Sequence, residues 1–233
     1  MQLYREENIR TLLAALEQDQ YDDVAQDETV GIDEVPPDAH AFLSLYLGQR
    51  TPVLEIGCGG GSLFGRYGIT HGVEPARRRH EAAQARGAVM GVAVERGVAE
   101  CLPYPSHTFS AALMLNGFFQ VRSDYEALVE INRVLRPGGV FIFNLLTEDA
   151  TDVVCGRCYG PLNTRRVLEQ FGFDTVGFLP TDAGPRFAPY PQTSTYLAAQ
   201  KVRDFDARWL NLPQVKRAED VVNFLPDRDW RLL

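Results

Sequence analysis

The chain has 233 residues, enough for one domain with a substantial hydrophobic core plus some additions and too few for two full-sized domains. Its formal net charge of −8 at pH 7 argues against nucleic-acid partners and anionic membrane surfaces, and it favours a small-molecule substrate. Four cysteines are too few for a disulfide framework, and no segment stays apolar for the roughly eighteen residues that a membrane span requires. These features predict a cytoplasmic protein without a signal peptide.

The first fifty residues are predicted to add two helices ahead of the main domain. Leucines and an isoleucine at roughly helical spacing predict an amphipathic helix over residues 1–16 whose apolar stripe is Leu3, Ile9, Leu12, Leu13 and Leu16. Residues 18–38 are acidic and end in two prolines, which is typical of a loop or a lid. A second helix is predicted over residues 38–47.

A short apolar strand that runs into glycines is the most informative stretch of the chain. Val53–Ile56 reads as a buried strand, and four of the next five residues are glycine. Glycine is needed where a strand enters a tight turn at positive φ, and where a ligand approaches the backbone with no Cβ between them. The pattern predicts a ligand at this turn, although a Gly-rich surface turn would have the same composition.

Charge and spacing restrict which ligand this turn accepts. Glu55 lies two residues before Gly57, where a pyrophosphate would meet a like charge, so a cationic ligand is favoured. The spacing is GxGxG, because the third glycine of the dinucleotide pattern GxGxxG would fall on Ser62. Glu74 ends a predicted second strand, residues 69–74, and it is placed to accept hydrogen bonds from two ribose hydroxyls. A carboxylate there suits any nucleoside ligand, NAD included.

Three segments of the chain resemble one known family. VLEIGCGGG, residues 53–61, looks like the first motif of class I S-adenosylmethionine (SAM) dependent methyltransferases. GVAECLPY, residues 97–104, resembles the adenine-side segment of that family, and LRPGGVFIF, residues 135–143, resembles its turn into the fifth strand. Two positions depart from the pattern: Val98 stands where an Asp often accepts from the adenine amino group, and Ser110 replaces a frequent Asp. SAM carries two cationic groups and no phosphate, which agrees with the acidic turn.

The resemblance implies an α/β fold, a doubly wound Rossmann-like seven-stranded sheet that is mostly parallel and ends in a C-terminal antiparallel hairpin. The domain boundaries expected are 1–50 for the N-terminal helices and lid, 51–202 for the SAM-binding domain, and 203–233 for a tail packed on the domain or on a partner, with a homodimer as one arrangement. The further elements predicted are helices over 62–67, 76–86, 124–135 and 161–170, and strands over 88–96, 109–116, 140–146, 173–179 and 195–202.

The resemblance also implies a set of cofactor-binding residues: Glu55, Gly57, Cys58, Gly59, Gly61, Glu74, Pro75, Ala99, Glu100, Asn116 and Phe118. Adenine contact is expected from the Ala99 and Glu100 backbone amides or from the Glu100 side chain. Phe118 and Phe119 either face the sulfonium, since aromatic faces attract cations, or pack under the next helix. Cys155 and Cys158 form a lone CxxC pair, so no metal is expected.

No catalytic base is obligatory for methyl transfer from SAM, because the sulfonium charge disappears as the bond breaks and alignment can supply most of the catalysis. His40, Tyr104 and His107 are the candidates if a base exists. Three rival functions stay open. They are a nicotinamide-dependent oxidoreductase, which the LRPGG turn disfavours; a non-catalytic SAM- or nucleotide-binding protein; and a methyltransferase acting on RNA or protein, whose mark would be a basic strip at Arg77–Arg79.

Overall fold

The predicted seven-stranded α/β sheet is confirmed. The computed structural model describes residues 2–19, 35–146, 161–181 and 194–207. Its strands form one sheet in the order β3-β2-β1-β4-β5-β7-β6. They are β1 (Val53–Ile56), β2 (Ile69–Glu74), β3 (Ala93–Arg96), β4 (Phe109–Met114), β5 (Leu135–Leu146), β6 (Phe173–Thr181) and β7 (Ser194–Lys201). The helices are α1 (Gln2–Glu17), α2 (Pro37–Leu47), α3 (Arg77–Met90), α4 (Asp124–Val134) and α5 (Pro161–Gln170).

Strands β1 to β5 are parallel, and β7 is antiparallel to both β5 and β6, as the predicted hairpin requires. The chain order reverses at β1, which has β2 on one side and β4 on the other. An open sheet leaves a crevice at such a reversal, beyond the carboxyl ends of the strands. The glycine turn follows β1 and therefore lies at this crevice.

The core has two layers, one on each face of the sheet, because alternate residues of each strand point to opposite faces. Leu54, Phe141 and Phe143 pack with helix α4 on one face. Val53 and Ile142 pack on the other face, in a cluster that also contains residues of α2 and α3. None of the helices in the described ranges is long and apolar enough to cross a membrane.

The first residues of the C-terminal segment are anchored on the domain. The Asn132 Nδ2 amide donates to the carbonyl oxygens of Phe171 and Arg203, at 2.8 and 3.0 Å, and the Phe205 amide donates to Asn132 Oδ1 at 3.0 Å. Lys201 is 1% exposed, and its Nζ donates to Asn132 O and Leu135 O at 2.7 and 2.9 Å. Residues 208–233, the rest of the predicted tail, lie outside the described part of the chain.

Two predicted elements are wrong. Residues 62–67 form no helix but a succession of four-residue turns, with Gly61 N donating to Cys58 O at 2.8 Å and Arg66 N donating to Leu63 O at 2.9 Å. Positive φ values at Gly65 and Tyr67 within this segment, +83° and +52°, and at Gly61 and Gly68 on either side of it, break the helical repeat. The third strand does not begin at residue 88, because α3 continues to Met90 and ends at a left-handed glycine, Gly91.

Three other details of the predicted elements differ from the structure. Strand β4 stops at Met114, and Asn116, predicted as its last residue, takes φ +54°. The LRPGG stretch is a bulge inside β5, since Phe109 pairs with Leu135 while Ala111 pairs with Val140. In α1, Leu12 is buried whereas Leu13, placed on the apolar stripe, is 38% exposed.

Candidate functional site

The glycine turn presents bare backbone to the crevice at two of its positions. Gly57 and Gly59 take φ values of +69° and +53°, and a Cβ built on either would meet nothing within 4 Å. Gly61 differs, because a Cβ there would lie 2.5 Å from the Phe64 ring. The first two glycines therefore leave room for a ligand, and the third is required for packing.

Glu74 holds the turn in place. Its carboxylate is 4% exposed, and it accepts hydrogen bonds from Gly59 N at 2.9 Å and from Ala76 N at 3.0 Å, across Pro75. A carboxylate has about four lone-pair positions, and these two amides fix its orientation. The structure places Glu74 at the carboxyl end of β2, beside the turn; its role toward ribose stays a prediction.

Glu55 is the feature that points most directly to a ligand. Its side chain is 5% exposed, and within the described ranges Oε2 has no hydrogen-bond partner. Burial, with a further contribution from the charge of Glu74, raises the pKa of Glu55 to about 8. A buried carboxyl oxygen without a partner costs free energy, which a cationic or hydrogen-bond-donating ligand would recover.

Cys58 is a packing residue of the turn. It is 4% exposed, its Sγ is 3.9 Å from Gly59 O, and burial raises the pKa of its thiol. Its Sγ would also lie 2.9 Å from a Cβ at Gly72, so the thiol fills the space that this glycine leaves. A protonated, enclosed thiol is a poor nucleophile, and any ligand contact of Cys58 falls to its backbone.

The predicted adenine-side segment forms a tight turn, with Cys101 N donating to Val98 O at 3.2 Å. Ala99 is 6% exposed within it. The Glu100 carboxylate turns away toward the start of α4, where its Oε1 accepts from Arg122 N at 2.6 Å and from Ser123 N at 3.2 Å. This arrangement disfavours the Glu100 side chain as the adenine contact and leaves the backbone of the segment for it.

A pair of charged residues on α4 also holds the adenine-side segment, and the sequence did not lead us to predict it. Glu130 and Arg133 of α4 form an ion pair at 2.7 Å. Glu130 also accepts from Leu102 N at 2.9 Å, while Arg133 donates to Tyr104 O at 2.7 Å. An i,i+3 pair of opposite charge on an otherwise buried helix was the available signal.

Asn116 meets a partner that the sequence did not indicate. Asn144 of β5 is fully buried; its Oδ1 accepts from Asn116 N and its Nδ2 donates to Asn116 Oδ1, both at 2.6 Å. Nδ2 also donates to Ser194 Oγ at 2.8 Å. An asparagine within the apolar run FIFNLL was the signal, because a buried amide must be hydrogen-bonded. The pair fixes the backbone at the end of β4.

The Phe118 ring lies in the core. It is 1% exposed and packs against Phe143 and Phe141, with ring centroids 5.0 and 6.2 Å apart. Of the two alternatives for Phe118, the structure supports packing, and contact with a ligand is left to its backbone. The side chain of Phe119 lies outside the described part of the chain.

The three candidate bases lie in different places. Tyr104 Oη donates to Gly72 O at 3.0 Å, and burial raises its pKa, so its phenol is engaged and neutral. His107 precedes β4, at the amino edge of the sheet and opposite the glycine turn, and its Nε2 lies 2.9 Å from Asp204 Oδ1. His40 lies near the start of α2, and its Nδ1 contacts Tyr67 Oη.

The end of α1 reaches the corner of the site next to Glu74. Asp19 pairs with Arg77 at the start of α3 and with Arg96 at the end of β3, the latter at 2.6 Å. Arg96 also donates to Leu16 O at 2.9 Å and to Pro75 O at 3.1 Å. The predicted lid over residues 18–38 falls mostly on 20–34, outside the described residues, as do Cys155 and Cys158.

Known proteins resemble this chain in sequence and in fold. A protein-family profile described as "Methyltransferase domain" matches residues 54–143. No curated protein matches the chain. Among solved structures, a SAM-dependent methyltransferase from Thermotoga maritima is 23% identical with a TM-score of 0.55, over 71% of this chain and 89% of that one.

Two further solved structures share the fold. A SAM-dependent methyltransferase from Methanosarcina mazei is 16% identical with a TM-score of 0.58, over 72% of this chain and 99% of that one. The trans-methyltransferase CalH, in complex with SAH, is 16% identical with a TM-score of 0.56, over 70% of this chain and 55% of that one. The matched residues 54–143 contain the glycine turn, Glu55, Glu74 and Asn116.

Proposed function

Because residues 54–143 match the methyltransferase-domain profile and the chain shares the fold of SAM-dependent methyltransferases, we propose that it transfers the SAM methyl group to a small-molecule acceptor. The observation that carries the proposal is Glu55, a buried carboxyl with an unpartnered oxygen beneath a turn of open glycine backbone. A ligand that combines positive charge with close backbone contact fits both features.

The residues of the turn fit SAM. We assign Glu55 to the positively charged methionine end of the cofactor, with Gly57 and Gly59 giving it access to the backbone. Cys58 and Gly61 support the turn from behind, because both are committed to packing. This assignment gives the Glu55 oxygen the partner that the described residues do not provide.

The nucleoside end of SAM belongs on the other side of the turn. Glu74 is assigned to the ribose hydroxyls, since its carboxylate lies at the carboxyl end of β2 and is fixed beside the turn by two backbone amides. Pro75 follows it, and the backbone of Ala99 and Glu100 is assigned to adenine. The Glu130–Arg133 pair acts indirectly, by holding the adenine-side segment on α4.

When bound, SAM supplies an electrophilic methyl group on a sulfonium whose charge is lost during transfer. The chain contributes orientation: the Asn116–Asn144 pair fixes the backbone at the end of β4, next to the crevice. Holding two reactants in line can lower a barrier by roughly 7–11 kcal/mol. The buried surroundings of Glu55 also strengthen the attraction for a cation, because water screens it less.

The small size of the acceptor is inferred from charge. The chain carries −8 overall, which repels nucleic acid. The basic strip expected for an RNA acceptor is weakened at Arg77, because this residue is paired with Asp19. Both observations favour a small molecule over an RNA substrate.

Calorimetry with SAM, its demethylated product SAH, and NAD tests the proposal. We expect micromolar binding of SAM and SAH and none of NAD, with binding lost in Gly59→Val, which fills the open space at a positive φ. Gly60→Ala is the matched control in the same turn, since a Cβ at Gly60 makes only an ordinary contact of 3.9 Å with Ala82. NAD binding without SAM binding would overturn the assignment.

A further inference from the structure

A polar cluster lies on the α2 face of the sheet, near the carboxyl end of β5 and the amino end of β7. After α2 the chain returns to the amino edge, where Arg50 donates to Ser110 O at 3.5 Å and to Gly138 O at 3.3 Å. The opposite end of α2, which carries Asp38 and His40, therefore lies toward the carboxyl edge. This is the edge at which Glu55 and the glycine turn stand.

The strand register connects this cluster to the proposed cofactor site. Glu55 pairs with Leu113 of β4, Leu113 pairs with Ile142 of β5, and Ile142 pairs with Ala198 of β7. Two residues nearer the carboxyl edge, Asn144 pairs with Tyr196, and both side chains point to the α2 face because side chains alternate along a strand.

Tyr196 is a neutral phenol in this cluster. It is 3% exposed and lies on β7. Burial, with contributions from the charges of Asp38 and Tyr67, raises the pKa of Tyr196 to about 12.

His40 and Tyr67 form a pair beside Tyr196. The Nδ1 atom of His40 contacts Tyr67 Oη, and the two rings stack with centroids 5.9 Å apart and planes inclined by 29°. Tyr67 takes φ +52°, a conformation that aromatic residues rarely adopt. Within the described ranges, His40 Nε2 has no hydrogen-bond partner.

The contact with Tyr67 favours one tautomer of His40. When Nδ1 carries the proton and donates it to Tyr67 Oη, the lone pair of Nε2 is free to accept another. Burial raises the pKa of Tyr67, against a smaller opposing effect of Arg66, so the phenol stays neutral and accepts this bond. His40 then has the form that a general base requires.

We propose that His40 is the proton acceptor for the methyl-accepting substrate, that Tyr67 is its positioning residue, and that the substrate reacts through a hydroxyl or amine group. The proposal rests on the proposed methyl transfer. The acceptor oxygen or nitrogen forms a bond to the methyl carbon, the C–S bond breaks with its electron pair going to sulfur, and the acceptor's proton moves to His40 Nε2. Tyr196 supplies a hydrogen bond to the acceptor, and the carboxylate of Asp38 disfavours an anionic one.

The test uses the full chain with SAM and two pairs of probes of similar size. 4-Ethylphenol and 2-phenylethylamine must lose a proton to be methylated, whereas 4-ethylpyridine and phenylacetate present a bare lone pair. Release of SAH is measured by mass spectrometry for the wild type, His40→Gln, Tyr67→Phe and the control His71→Gln, whose ring lies against Thr70 on β2. We expect methylation of a proton-bearing probe, with kcat lowered about 100-fold or more in His40→Gln and KM within threefold.

A second readout concerns Tyr67 alone. In ¹⁵N-histidine spectra, His40 should be the Nδ1–H tautomer in the wild type and a mixture of tautomers in Tyr67→Phe. SAH affinity should be unchanged in both variants, which separates a catalytic effect from a folding defect. Failure of the wild type to bind SAH would refute the proposed function. If SAH binds normally, three results would overturn the role of His40. They are an unaffected kcat in His40→Gln, no methylation of any probe, and an equal loss of rate on 4-ethylpyridine.

Discussion

Glu55 links the cofactor site to the stability of the protein. Its pKa is raised from an ordinary 4.5 to about 8, so between these pH values the folded protein binds a proton that the unfolded chain does not. The free energy of unfolding must therefore fall as pH rises through this window, and then level off. At about 1.4 kcal/mol per pKa unit, the fall is on the order of a few kcal/mol.

Urea unfolding of wild type and Glu55→Gln at pH 5 and pH 8.5 measures this contribution. We expect the variant to gain stability over the wild type at pH 8.5 and to differ little at pH 5. Glu95→Gln, at an exposed position of β3, is the control and should follow the wild type at both pH values. An equal pH response in Glu55→Gln and wild type would show that Glu55 does not titrate as stated.

The glycines of the turn should differ in what they contribute. Gly61→Ala places a Cβ 2.5 Å from the buried Phe64 ring at a φ of +76°, so we expect a loss of about 2–4 kcal/mol. Gly59→Ala faces open space and should cost only about 1 kcal/mol, for its positive φ. Thermal denaturation of both variants measures the difference, and equal destabilisation would contradict the assignment of Gly59 to ligand contact.

At the scale of elements, α1 is attached to the site through Asp19. Its carboxylate pairs with Arg77 and Arg96, and exposed ion pairs of this kind weaken as salt rises. We expect Asp19→Asn to speed hydrogen exchange of the last turn of α1. Added salt, about 0.5 M, should speed it in the wild type and have little further effect in the variant.

Exchange of the α5 amides provides the reference for that measurement, since α5 makes no contact with Asp19 in its hydrogen bonds or ion pairs. Protection of α1 that is the same in Asp19→Asn as in wild type would show that other contacts hold the helix.

Lys201 should be a major determinant of stability at the end of the hairpin. It is almost fully buried and donates to two carbonyl oxygens at the end of α4 and the start of β5. Lys201→Met removes both hydrogen bonds and the ion pair with Asp204 at 2.7 Å, and we expect a loss of about 2–4 kcal/mol in urea unfolding. Arg165→Ala, which removes an exposed pair with Glu169, should change stability by less than about 0.5 kcal/mol. Similar small losses in both variants would contradict this account.

Elements with a strong periodic pattern were predictable from the sequence. Strand β1, helix α4 and the closing hairpin follow from apolar spacing, and the LRPGG turn was identified although it is a bulge. Residues 62–67 were not predictable as turns, because the positive φ of Tyr67 depends on contacts that composition does not encode. The end of α3 depended on Gly91, which a run of residues with good helix propensity concealed.

Only those parts of the site that belong to sequence motifs were predictable. Glu55, the glycines and Glu74 were located by their spacing, but the unpartnered oxygen of Glu55 is a tertiary property. Asn144 and Tyr196 meet the rest of the site through strand pairing between distant segments. A single sequence does not specify that pairing.

For the whole molecule, the carboxyl edge of one sheet gathers two sets of groups. Glu55, Glu74 and the glycine turn lie at β1 and β2, whereas His40 lies near the start of α2, in contact with Tyr67, and Tyr196 lies on β7. Asn116, at the end of β4, stands between them. This division gives the cofactor and the acceptor separate places on either side of the point where methyl transfer is proposed.

The most direct measurement of the central claim is proton release on SAM binding. Glu55 is mostly protonated at pH 7, and a cation beside it lowers its pKa. Calorimetry at pH 7 in phosphate and in Tris, which differ in ionisation enthalpy, should show release of close to one proton in the wild type and almost none in Glu55→Gln. SAM binding without proton release, or with the same release in the variant, would contradict the assignment of Glu55 to the cationic end of SAM.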